Sequence, residues 1–216
     1  MSGRSQSVQH MPFEHACFIS FSRGSSKDSE FADLFFDEFR ASLGALDKRL
    51  SVFKFDRCED RRRGAAWELW IQKELCKSAA MIAICAPNYF TGSPGCVSEF
   101  EGMGRLIADR TQALGEASDD WLLGIRLKDT VPMPMLNPYS VVDFLECCAS
   151  PKRVRTVQKH RLAVERLADR VYSHWQWLND GKRIASLVAN DICRQFTLPP
   201  DVPRGADGFP HHGAVR

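Results

Sequence analysis

The chain has 216 residues, of which 44% are hydrophobic and 26% charged, with a formal net charge of +2. This is ordinary globular composition, long enough for one sizeable core and a single domain; the near-balanced charge argues neither for nor against nucleic acid, and no direct nucleic-acid binding is predicted. No apolar run approaches the roughly 18 to 20 residues that span a bilayer, and the opening MSGRSQSVQHMPFEH lacks the apolar core of a secretory signal, so a cytoplasmic protein with no membrane contact is expected.

Residues 1–14 read as a disordered tail, and regular structure begins with ACFISFS, a buried strand over Ala16 to Ser22. Phe31, Leu34, Phe35, Phe39, Leu43 and Leu46 then recur at helical spacing and mark the apolar stripe of a following helix. Ser51 to Phe55 gives a second strand, followed by the charged loop DRCEDRRR. Trp67, Trp70, Ile71 and Leu75 define the next helix, and AAMIAICA, Ala79 to Ala86, is an uninterrupted apolar third strand. Pro87, Asn88, Gly92, Pro94 and Gly95 interrupt regular structure, so a new helix is predicted from Val97 or Ser98. A fourth strand is predicted at Trp121 to Leu127 and a fifth at Tyr139 to Leu145, joined by a short helix or none.

Two more helical patterns follow, the first with Val164, Leu167, Val171, Trp175 and Leu178, the second with Ile184, Leu187, Val188, Ile192 and Phe196. The organisation expected is a core over 15–150, C-terminal helices over 151–197 packed on it, and a Pro-, Gly- and His-rich disordered tail over 198–216. Buried strands alternating with helices imply a parallel sheet covered on both faces, and right-handed crossovers leave few topologies. The α/β fold expected is a flavodoxin-like, doubly wound, five-stranded sheet of order 2-1-3-4-5 with a C-terminal helical extension.

The eight cysteines, Cys17, Cys58, Cys76, Cys85, Cys96, Cys147, Cys148 and Cys193, contain no CxxC pair. They are expected to be free thiols in a reducing compartment. His10, His15, His160 and His174 are scattered and His211 and His212 fall in the tail, so no metal or other cofactor is predicted.

Ligands of such a sheet bind outside the carboxyl ends of the strands, between strands one and three. The loops that meet there are Ser22 to Ser29, Asp56 to Gly64 and Pro87 to Glu99. A phosphoacceptor receiver would need clustered acids after strand one and an Asp ending strand three, where this chain has Ser-Phe-Ser-Arg and Ala-Pro. SRGSSKD supplies neither a dinucleotide-binding glycine fingerprint nor a GxxxxGK phosphate loop.

FISFS at Phe18 to Ser22, the Asp56 to Gly64 loop running into GAAW, Ser78, APNYF at Ala86 to Phe90 and GCVSEF at Gly95 to Phe100 together resemble a Toll/interleukin-1 receptor (TIR) domain. GIRLKDTVPMPML and YSVVDF resemble the fourth and fifth strand regions of bacterial members, and the likeness covers roughly 16–145. It implies one of two activities, NAD+ glycohydrolysis or cyclisation with NAD+ as substrate, or self-association as a signalling adaptor. TIR–TIR contacts, a sensor or regulatory partner and an immune-type signalling role are implied with it.

Glu99 aligns with the catalytic glutamate of TIR enzymes. Read locally, it falls in the first turn of the predicted helix, whose N-terminus would keep it ionised, and Ser98 with Glu101 spells a capping box. The substrate-binding candidates are Phe21, Ser22 and Arg23 after strand one, Asp56, Arg57 and Arg63 after strand two, and Tyr89 and Cys96 after strand three. In the family, Phe21's position lines the nicotinamide pocket. The loop Arg57, Glu59, Asp60, Arg61, Arg62, Arg63 and Gly64 corresponds to a segment that borders that pocket and reaches a neighbouring copy. One departure stands out: TIR enzymes usually carry an aromatic residue four positions before the glutamate, where this chain has Gly95.

Overall fold

Alternation along two apolar segments, ACFISF and SAAMIAIC, sets the two faces of the molecule. The computed structural model describes residues 13–23, 25–55, 65–129, 136, 139–190 and 192–197. Within them, five strands form one sheet: β1 (His15–Phe21), β2 (Val52–Lys54), β3 (Ser78–Cys85), β4 (Leu122–Arg126) and β5 (Ser140–Asp143). Every pairing is parallel and the order is β2-β1-β3-β4-β5, as the sequence reading expected.

In a strand, successive side chains point to opposite faces. Cys17 and Ile19 of β1 and Ala80, Ile82 and Ile84 of β3 therefore join one cluster, while Phe18, Met81, Ala83 and Cys85 join the other. The first cluster is covered by α1 (Ser26–Leu46), through Phe31, Phe35, Phe39 and Leu43, and by a long C-terminal helix whose Val164, Leu167, Val171 and Leu178 face the same core. Ser25 caps α1 by accepting a hydrogen bond from the Asp28 amide at 3.1 Å. The predicted stripe of α1 frays at its end, where Leu46 is exposed.

The second cluster is covered by α2 (Ala65–Cys76), then, after the single turn α3 (Asn88–Thr91), by α4 (Pro94–Leu114). Ile71 and Leu75 of α2 are buried, as is Phe100 of α4, whose ring meets Phe90 edge-on at 5.3 Å. Trp70 is half-buried against the edge of Phe53. Gly115 ends α4 at φ 70°, a left-handed conformation that suits glycine, and returns its N–H to Thr111.

The chain finishes with α5 (Arg153–Thr156), α6 (Gln158–Leu178), α7 (Gly181–Ala189) and α8 (Ile192–Gln195). The last helical pattern of the sequence is thus two helices, broken after the Asn190 cap. Val188 consequently stands exposed, whereas Phe196 is buried in the α2–α4 cluster. No described helix is long and apolar enough to cross a membrane.

The expectation of uniformly free thiols is corrected. Cys76, at the end of α2, is disulfide-bonded to Cys193 in α8, while Cys17, Cys85, Cys96, Cys147 and Cys148 are free. Packing of Phe196 under α2 brings two cysteines 117 positions apart in sequence to a Cα separation of 5.7 Å, within bonding range.

Candidate functional site

Ser20 shares its strand face with Phe18, so its hydroxyl points toward α3 and α4 at the carboxyl end of β1, while β3 runs alongside with Ser20 opposite Ala83. Two groups meet it there. Ser20 Oγ donates to Glu99 Oε2 at 2.6 Å, and the Tyr89 hydroxyl lies 2.7 Å from Ser20 Oγ. A serine hydroxyl carries one proton. With that proton given to Glu99, Tyr89 must donate to Ser20, so the three side chains form a directed chain, Tyr89 to Ser20 to Glu99.

Tyr89 is fully buried, edge-on to Phe90 at 4.9 Å and to Phe100 at 6.4 Å. Burial lifts its phenol well above the ordinary range, which keeps it a donor. Glu99 is half-buried, and no described residue bonds its Oε1. That oxygen is the one a ligand can engage.

Two expectations about Glu99 are corrected. Helix α4 begins at Pro94, not at Val97 or Ser98, so Glu99 is its sixth residue and lies in the second turn. Proline is well accommodated at the first position of a helix, because its missing N–H has no intrahelical partner there. The helix terminus therefore does not hold Glu99 ionised. Burial pushes its pKa up to about 7, against the downward pull of the Ser20 hydrogen bond. Nor do Ser98 and Glu101 form a capping box, since both lie inside the helix. The cap position is Ser93, whose hydroxyl makes no capping bond and instead donates to Cys96 Sγ at 2.9 Å.

Cys96 in turn donates to the Phe21 carbonyl at 3.3 Å, tying the start of α4 to the end of β1. The Phe21 ring packs on the α1 side, with Lys54 Nζ 4.7 Å from its centroid. Lys54 is buried and pairs with Asp33 at 2.5 Å. Ser22 is buried, and exposed Arg23 lies over the Phe55 ring at 4.9 Å. Of the expected substrate-binding residues, then, Tyr89 joins Glu99 directly, Cys96 braces the helix that carries it, and Phe21 and Arg23 lie toward β2 and α1. Asp56, Arg57, Arg63 and the rest of the loop through Gly64 lie outside the described residues.

Ser20 is the site residue that sequence reading missed. The available signal was parity: a serine two positions from Phe18 in a buried strand has a hydroxyl that must find a polar partner on that face. Ser20→Ala is expected to raise the pKa of Glu99 further, because it removes the one bond that lowers it. A carboxyl-resolved NMR titration checks this, with an unchanged or lower Glu99 pKa as the contrary result.

Gly95 is exposed, and a Cβ built on it meets nothing within 4 Å. An aromatic side chain can therefore stand there without displacing the fold. Comparison with protein-family models, with curated proteins and with solved structures finds no match.

Proposed function

We propose that the chain is a TIR-type NAD+ glycohydrolase or cyclase in which Glu99 is the catalytic residue. The observation that supports this most is a carboxyl group with one free oxygen and a pKa near 7, fixed by Ser20 and Tyr89 at the switch point of a doubly wound sheet. Breaking the bond between nicotinamide and ribose C1′ sends the electron pair to nicotinamide, which departs neutral, and leaves positive charge shared between C1′ and the ring oxygen. A fixed carboxylate stabilises that charge and holds the ribose hydroxyls. Water adding to C1′ must lose a proton, and a group titrating near neutrality is matched to accepting it. Attack by the adenine of the same molecule gives a cyclic product instead.

On this reading the protein acts in immune-type signalling, and self-association, or a sensor partner, packs the 56–64 loop of one copy against the site of another. Turnover should accordingly rise with protein concentration. The deciding experiment measures NAD+ consumption by concentrated protein beside Glu99→Gln, with products separated by chromatography.

A second reading, a non-catalytic TIR interaction module, is favoured by Gly95, which leaves open the place where TIR enzymes carry an aromatic ring. Gly95→Trp distinguishes the two. For a weak enzyme it should lower KM for NAD+ while leaving the melting temperature unchanged within a few degrees. An interaction module gains no turnover from it.

A further inference from the structure

At the amino-terminal end of β3, remote from the end where Glu99 sits, a cavity of about 220 Å3 opens between α4, α7 and α8. Phe13, Leu187, Val188 and Ile192 give it apolar walls, the Cys76–Cys193 disulfide forms one side, and among the described residues Arg110 is the one charged side chain that lines it. Arg110 is 2% exposed. Its guanidinium donates to the Cys76 carbonyl at 2.8 Å and the Ser78 carbonyl at 3.1 Å, and lies between the rings of Phe13 and Trp121, 5.0 and 5.2 Å from their centroids.

No carboxylate among the described residues lies within ion-pair distance of it. A buried cation without a counter-ion is costly, and two carbonyls with two ring faces offset only part of that cost. The carbonyl bonds at the end of α2 and the start of β3 explain why an arginine buried on α4 is tolerated, but two bonds use two of its five N–H donors. Burial lowers its pKa to about 9, which leaves it charged at neutral pH. Neighbouring His174, held neutral by burial and by Arg110 itself, brings no second charge.

A single planar cation at the base of an apolar cavity matches a ligand with one negative charge and a hydrocarbon body. We propose that this cavity binds a small amphiphilic carboxylate, a medium-chain fatty acid, with its carboxylate on Arg110 and its chain against Leu187, Val188 and Ile192. A space of 220 Å3 corresponds to about seven water volumes, which suits a chain of roughly six to eight carbons. A phosphate dianion would face one cation and apolar walls, a poorer match in charge and in solvation. The site is separate from the proposed NAD+ chemistry and stands or falls independently of it.

The test is calorimetric titration of the full chain with octanoate, in non-reducing buffer and below its micelle-forming range, with octanol as the neutral control. Octanoate should bind saturably at one site, at least about tenfold more tightly than octanol. Arg110→Met should abolish that preference. Because that variant also strips two carbonyls of their donor, Val188→Glu carries the test in parallel: its position is 62% exposed, so the fold tolerates the change, and a carboxylate at the mouth should weaken octanoate at least about tenfold. Equal affinity for octanoate and octanol, octanoate binding that Val188→Glu leaves untouched, or no saturable binding would each overturn the proposal.

Discussion

Glu99→Gln is expected to abolish NAD+ consumption and, in the same protein, to stabilise the fold above neutral pH. The loss of turnover should reach at least about 10²- to 10³-fold, the usual cost of removing a group that stabilises charge developing in the transition state. The stability effect follows from proton linkage. Burial moves the Glu99 carboxyl from 4.5 to about 7 in the folded chain, so between those values the folded state holds a proton that the unfolded state releases. The wild-type fold is therefore penalised progressively as pH rises through that window, and fully above it.

At about 1.4 kcal/mol per pKa unit, and allowing for the partial exposure of Glu99, the penalty is on the order of 2–3 kcal/mol. Glutamine keeps the shape without the charge. The variant should melt roughly 5 °C higher than wild type at pH 8 and at the same temperature at pH 4. Thermal melts at the two pH values, run beside the NAD+ assay, separate the claims. A pH-independent difference would remove the case for a buried ionisable group, whereas retained turnover would remove the case for catalysis. On the proposed reading, the same titration should set the acid limb of the rate profile, with activity expected to rise as Glu99 ionises around pH 7.

Cys193→Ser is expected to cost about 3–5 kcal/mol of unfolding free energy. The disulfide closes a loop across 117 positions, and a crosslink of that span restricts the unfolded chain by up to about 5 kcal/mol in the chain-entropy account. Urea denaturation of wild type with and without dithiothreitol, beside the variant, measures it. Reduced wild type should match the variant, and both should unfold at lower urea than the oxidised protein. A midpoint indifferent to reductant would show that α8 is held by Phe196 and its neighbours alone.

The sheet was legible because its central strands are uninterrupted apolar runs, which a helix-forming alternative of that length would not explain. The start of α4 was not, because Pro94 and Gly95 read as breakers, although proline at a first helical position is compatible with the helix. That displacement of one turn carried Glu99 with it and reversed the expected sign of its pKa shift. Glu99 and Tyr89, which the structure joins through Ser20, are both legible as candidates because they lie in the loop and helix after the third strand. Ser20 was overlooked because it is embedded in a strand. The Cys76–Cys193 pair leaves no trace in local spacing: what unites the two cysteines is the packing of Phe196 under α2, a tertiary event.

The two outermost strands are short, Val52–Lys54 at three residues and Ser140–Asp143 at four. A rim so brief exposes few unpaired backbone donors and acceptors, and its charged residues, Lys54 and Asp143, are engaged within the chain by Asp33 and Arg126. Incoming β-structure finds little template there. On the proposed reading, copies of this protein that gather would meet through helices and loops rather than by zipping edge to edge into fibres, and the assembly should then be reversible and sensitive to salt.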